Sequence, residues 1–191
     1  VAAFLALYAY LFPGLLSVAG VSKFAQSWLP LALVAMAQAI LMLTGGISLA
    51  IGATVSLGAV IAATTMSGTF GVAGGIVAVS ASGLAIGALC GVIAIRLRLP
   101  AIIVTLAASF IIGGLALLIL PRPGGAIPVW FSDLLAGNTP AALVLVILVA
   151  LLWKLYHATP LGLSLYAAGE NPVGAYRAGV PVDAARIAAY A

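Results

Sequence analysis

Residues 72–95 read VAGGIVAVSASGLAIGALCGVIAI, residues 96–100 read RLRLP, and residues 101–120 read AIIVTLAASFIIGGLALLIL. A helix that crosses the roughly 30 Å hydrocarbon layer takes about 20 mostly apolar residues, and each flanking run supplies that length without a charge. The connection between them is too short for anything but a tight turn. Arginines in a short loop mark the cytoplasmic side of a membrane, so Arg96 and Arg98 fix both the fold class and its orientation.

Working outward, further apolar runs lie at 28–44, 47–66 and 141–156, the last with Lys154 near its end, another begins at Arg186, and 1–12 has the character of the tail of a first span. About six spans are expected, as an all-α polytopic transmembrane bundle in one domain covering 1–191. Residue 1 is valine, and neither a basic stretch nor a cleavage site precedes the first run, so the chain reads as a fragment or processed product. Counting alternately from the arginine turn puts Lys23 and Arg122 outside, and Lys154, Arg177 and Arg186 inside with Arg96 and Arg98. The aromatic residues agree: Trp28, Trp130 and Phe131 flank outer ends, and Trp153, Tyr156 and Tyr166 inner ones.

Composition supports a lipid solvent. Of 191 residues 65% are hydrophobic and 5% charged, against about 25% charged in globular chains. The net charge of +4 is too dispersed to build a basic patch for nucleic acid. Glycines at 71, 75, 83, 87 and 91 share one helical face, and Ser48, Gly52 and Ser56 repeat the spacing in the preceding run. Such stripes let helix backbones approach closely, which points to a tightly packed bundle.

Catalytic chemistry is missing. Asp133, Glu170 and Asp183 all fall in expected loops, so no acid–base constellation forms. The single histidine, His157, and the single cysteine, Cys90, make no metal cluster; the first is expected at the interface and the second as a packing residue. No phosphate-cradling G-x-x-x-x-G-K-[ST] loop occurs, so the chain carries no ATPase site of its own, and no cofactor or metal is expected. Apart from Lys154 near the inner end of 141–156, no Asp, Glu, His or Lys lies within a span, which disfavours proton coupling.

Neutral polar groups remain within the spans, among them Gln38, Thr44, Ser48, Thr54, Ser56, Thr105 and Ser109. They can hydrogen-bond an uncharged polar solute, although a serine or threonine more often bonds its own helix carbonyl. Gln38 stands apart, because a primary amide in hydrocarbon is costly without a partner. Gly45-Gly46 divides what would otherwise be one long apolar stretch. Unwound backbone at membrane depth suits a translocation path; the alternative is a plain tight turn at the inner surface.

Residues 159–183 are too polar and glycine-rich to span, yet they carry local structure. Asn171 suits a helix N-cap, Pro172 the first turn and Gly179 the C-terminal stop of a short amphipathic helix. A short helix on the cytoplasmic face of a bundle with no energy source of its own invites a partner.

Three segments resemble a known family, the membrane permease subunits of bacterial ABC importers for ribose, xylose and related sugars. GGISLAIG at 45–52, preceded by AQAILMLT, is similar to the family's GGIDLSVG segment and the helix before it. RLRLPAIIVTLAASFIIGGLALL at 96–118 resembles its cytoplasmic turn and following span. TPLGLSLYAAGENPVGAYRAGVPVDAARIAAY at 159–190 resembles the loop T-x-x-G-x-x-x-Y-A-x-G-x-N-x-x-A-A-x-x-x-G-I that docks on the ATPase. Ser48 stands where the family usually has aspartate, and Leu163 where a basic residue often follows the loop's first glycine.

The resemblance implies an inner-membrane subunit of about ten spans, of which this chain is a part, with 159–183 as the cytoplasmic coupling loop. It implies that Gly169, Asn171, Ala175 and Gly179 belong to that loop, with Glu170, Pro172, Tyr176 and Arg177 as neighbours, and that Gly45, Gly46 and Gly52 shape the translocation path near Gln38 and Ser48. It also implies a cytoplasmic ATP-binding cassette ATPase, an extracytoplasmic solute-binding protein and a second permease subunit as partners. The expected cargo is a monosaccharide. Branched-chain amino acids or nucleosides are the alternative within the class, and an ATP-independent carrier or channel the alternative outside it.

Overall fold

The computed structural model describes residues 18–68, 71–122, 124–136 and 141–191. The apolar run at 1–12 and the side chain of His157 lie outside the described residues. All regular structure among those residues is helical: α1 (Val18–Leu43), α2 (Ile51–Thr65), α3 (Gly71–Arg96), α4 (Ala101–Ile119), α5 (Val129–Ala136), α6 (Ala141–His157), α7 (Pro160–Glu170), α8 (Pro172–Arg177) and α9 (Val182–Tyr190). The helical expectation holds. Among the described residues three helices are long and apolar enough to cross a membrane, Lys23–Leu43 within α1, Gly71–Arg96 and Ala101–Ile119. Ile51–Thr65 and Val144–Tyr156 are apolar but shorter.

The chain divides into two compact units, 1–33 with 129–154, and 34–128 with 155–191. The first holds the start of α1, α5 and most of α6. Phe24 and Trp28 lie one helical turn apart with ring centroids at 5.6 Å, and Trp130 meets Phe131 edge-on at 5.7 Å. Val144, Ile147, Leu151 and Leu152 of α6 are all exposed, as befits a helix whose solvent is hydrocarbon.

In the second unit α2 packs against both α3 and α4. Ala50, Leu57, Ile112 and Ala116 form one buried cluster, and Cys90, Ala94 and Val104 another. Alanines and Cys90 sit among the larger Leu57, Ile112 and Val104 in these clusters, which lets the helix backbones approach closely. The outward faces are large and apolar instead, with Phe110 at 74% and Leu118 at 77% exposure.

The run at 47–66 yields a shorter helix than its hydropathy suggests, because Ile47–Ala50 are spent on irregular backbone before α2. That backbone is held by Thr105, fully buried on α4, whose hydroxyl accepts from the Leu49 N–H at 3.1 Å while donating to the Ala101 carbonyl at 2.8 Å. Thr105→Val keeps the shape and orphans the Leu49 N–H. An orphaned buried donor costs about 1 to 3 kcal/mol, so the full-length permease should melt earlier in detergent, while Thr105→Ser stays near the parent. Equal melting of the valine variant would rule out this anchor.

Candidate functional site

Three helices stop by the same device. At the end of α1 the Gly46 N–H donates to the Leu41 carbonyl and the Gly45 N–H to the Met42 carbonyl, both at 3.0 Å, with Gly45 at φ +76. This pairing satisfies the orphan carbonyls of a helix end and needs a left-handed residue at its corner. The end of α8 repeats it: Val180 N–H to Ala175 carbonyl, Gly179 N–H to Tyr176 carbonyl, and Gly179 at φ +83. At the end of α3 the corner falls on Arg98, φ 53, with Leu99 N–H bonded to the Ala94 carbonyl at 3.0 Å. A side chain there costs about 1 to 2 kcal/mol relative to a right-handed residue. Pro100 and Pro181 then prevent the second and third helices from resuming.

Two of these corners border one cavity of about 470 Å³. Its wall comprises Thr44, Gly45 and Gly46 from the first turn, Ala94, Ile95, Arg98, Leu99 and Ala101 from the second, and Asp183, Arg186 and Tyr190 from α9. The carbonyl ends of α1 and α3 converge here, a negative environment that favours the guanidinium groups of Arg98 and Arg186. The Gly45-Gly46 break is thus a turn at the arginine-bearing end of the bundle. Ser48 follows it, and its hydroxyl accepts from the Ala50 N–H at 3.2 Å at the entrance to α2.

The segment after α6 is a three-helix unit rather than a loop. Thr159 caps α7, accepting from the Gly162 N–H at 3.2 Å, and Pro160 occupies the first helical position. Sequence reasoning missed this helix, although Thr-Pro at its start was the signal. α8 forms as expected, with Asn171 Oδ1 accepting from the Gly174 N–H at 2.9 Å. Leu165 and Ala168 of α7, Ala175 of α8, and Val182 and Ala185 of α9 make a common core. Opposite that core Val173 and Tyr176 stand out at 63% and 76% exposure, with Glu170, Asn171 and Arg177 also exposed beside them.

The candidate residues therefore separate by role. Ala175 and Gly169 face inward: the first is buried, and a Cβ on the second would overlap the Leu43 carbonyl. Pro172 opens α8 and Gly179 closes it. Of the path candidates, Gly45, Gly46 and Ser48 cluster at the turn, whereas a Cβ on exposed Gly52 would meet nothing within 4 Å. Gln38 Oε1 is buried with no hydrogen-bond partner among the described residues. Thr44, Thr54, Ser56 and Ser109 all bond backbone carbonyls three or four residues before them. Among the described residues no group of three His, Cys, Asp or Glu could hold a metal ion.

Asn171→Ala removes the cap of a six-residue helix, which costs about 1 kcal/mol. The variant should lose protection of the Gly174 and Ala175 amides in hydrogen exchange, and Asn171→Asp should retain it. Unchanged exchange in the alanine variant would refute the cap.

The model of the family described as branched-chain amino acid transport system / permease component matches residues 20–191. The autoinducer 2 import system permease protein LsrC of Yersinia pseudotuberculosis serotype O:1b (strain IP 31758) is 31% identical over 172 residues, covering 84% of this chain and 47% of that protein. LsrC of Yersinia pestis (strain Pestoides F) aligns with the same identity and coverage, and LsrC of Yersinia pseudotuberculosis serotype IB (strain PB1/+) is 30% identical. The chain spans about half the length of these curated relatives. No solved structure matches it. The family match runs from within α1 to the last residue, through both cavity-lining turns and the three-helix unit; the chain belongs to the branched-chain amino acid transport system permease family, whose members are multi-pass proteins of the inner membrane.

Proposed function

We propose that this chain is part of the permease subunit of an ATP-binding cassette importer, with ATP hydrolysed by a partner, and that its α7–α9 unit is the cytoplasmic coupling element. The observation that carries this reading is the two-faced α8: Ala175 is locked into the shared core while Val173 and Tyr176 are held in the open beside Arg177. Exposed apolar and aromatic side chains on a rigid, polar-rimmed helix are the usual anchors of a protein interface. The partner is a cytoplasmic ATPase. A solute-binding protein outside and a second permease subunit complete the machine, and nucleotide-driven movement of the coupling unit changes access to a path near Gly45 and Gly46.

The cargo is a small neutral polar solute, most simply a monosaccharide. Residues 24–95 and 99–121 contain no charged side chain, so a cargo carboxylate would find no cation within the spans they contribute. The relatives are named for import of autoinducer 2 and the family for branched-chain amino acids, so cargo varies on this scaffold.

The test is co-purification of the full-length permease from its native membrane in a mild detergent. The parent should bring down an ATPase and a binding protein, and Val173→Asp/Tyr176→Asp should lose at least about nine-tenths of the ATPase, a change of about 1.4 kcal/mol in docking. Gradient-driven solute flux in liposomes holding the permease alone would favour an autonomous carrier instead.

A further inference from the structure

The turn that ends α1 is gripped from two sides by the segment that follows α6. On one side the backbone of Gly169 in α7 lies so close to Leu43 that a Cβ would overlap the Leu43 carbonyl. On the other, the Tyr190 hydroxyl of α9 sits over Gly46, where a Cβ would come within 2.8 Å of the hydroxyl oxygen and 3.4 Å of ring carbon Cζ. The two arms are joined. Arg186 of α9 donates through Nη2 to the Ala168 carbonyl of α7 at 3.4 Å, and both helices share the core that also holds Ala175 of α8.

This arrangement has mechanical content. A force on α8 cannot be absorbed inside the three-helix unit without opening its core, so α7 and α9 move with it. The two arms meet the turn differently: Gly169 presents backbone to backbone, and Tyr190 presents the end of its ring to a bare Cα. The other face of α9 is seated on α3, where Gly91 would place a Cβ 3.0 Å from Tyr190 Cβ. The cavity bounded by Gly45, Gly46, Arg98 and Tyr190 leaves room beside the grip for a second arrangement.

We propose that Gly169 and Tyr190 form a clamp on the 43–46 turn and that Tyr190 is a positioning residue: the end of its ring, seated on Gly46, carries partner-driven movement of α8 into that turn. This rests on the coupling role given above to α7–α9.

The test uses the full-length permease, co-purified with its ATPase and binding protein and reconstituted in liposomes, as parent, Gly46→Ala, Tyr190→Phe and the double variant. Stimulation of ATP hydrolysis by the binding protein is the readout, with melting temperature measured in parallel. Gly46→Ala forces the tyrosine away and should cut stimulation at least about fivefold, roughly 1 kcal/mol, with the ATPase still bound. Tyr190→Phe removes the obstructing oxygen and leaves a carbon at ordinary contact, so the double variant should return to within about twofold of Tyr190→Phe alone. Full stimulation in Gly46→Ala, or a double variant no better than it, overturns the clamp. Recovery of melting temperature without recovery of stimulation makes the contact merely structural and overturns it equally. Absence of an ATPase from the parent complex fails the underlying function, a distinct result that removes the clamp with it.

Discussion

Gly169→Ala is expected to reduce uptake by the full-length transporter to background and to lower its melting temperature by several degrees. Two effects oppose each other at this position. Alanine is the better helix former by about 1 kcal/mol in a helix interior, and less in a last turn such as this one. Against that, the new methyl would overlap the Leu43 carbonyl, a backbone atom fixed by the hydrogen-bonded turn behind it, with the Leu43 carbon and Thr44 Cα close by. Overpacking of this kind costs about 1 to 3 kcal/mol when flexible side chains can give way, and more when only backbone is available to move. The steric term wins, and its consequence is specific: relief requires α7 to withdraw from the turn, which separates the coupling unit from Gly45 and Gly46. Surface expression should fall less than uptake. Uptake within about twofold of the parent would mean that α7 does not bear on the turn, and the inward reading of Gly169 would be wrong.

What the sequence made legible, and what it hid, follows from how local the governing physics is. The cap at Asn171, the proline after it and the glycine corner at Gly179 were readable because each depends on one or two hydrogen bonds to near neighbours. α7 was equally local in its start, Thr159-Pro160, but hydropathy over 159–183 concealed it: Leu165 and Ala168 are its buried members, and the core they share with α8 and α9, with Ile40 of α1 packed against it, is assembled by tertiary contact. The glycine face of α3 announced close approach without naming the partner, because that partner, α9, lies about a hundred residues further on and is identified only by tertiary contact. Ser48 shows why one departure from the family pattern leaves local structure intact. Aspartate and serine both serve as side-chain acceptors at a helix entrance, and the Ser48 hydroxyl fills that place for Ala50 N–H. Thr105 was noticed only as one neutral polar group among seven, and its pairing with Leu49 required the fold. Gln38 and Gly52, singled out for the path, do not line the cavity at the turn.

The glycine face also yields the sharper of the two stability contrasts, because its members share a helix, a face and a spacing but differ in what they meet. A Cβ on Gly87 would overlap the carbonyl of Tyr190, with that carbonyl carbon at 2.8 Å and Ala191 Cα at 2.9 Å. A Cβ on Gly83, one turn earlier, would meet nothing within 4 Å. Gly83→Ala should therefore show only the propensity effect, raising stability by up to about 1 kcal/mol. Gly87→Ala carries the same propensity gain against backbone overlap on α9 and should be destabilising by about 2 kcal/mol net, with Gly87→Val worse because its β-branched side chain also loses rotamer freedom in a helix. Since α9 shares its core with α7 and α8, displacing it from Gly87 should also loosen the coupling unit. Thermal unfolding of the full-length permease in detergent gives the order: Gly83→Ala at or above the parent, Gly87→Ala below it, Gly87→Val lowest. If Gly83→Ala fell as far as Gly87→Ala, α9 would not be what the stripe receives, and both glycines would be facing another part of the assembled transporter. The contrast thus separates a notch built for one helix from a small-residue face used by the bundle at large, which the spacing alone leaves equivalent.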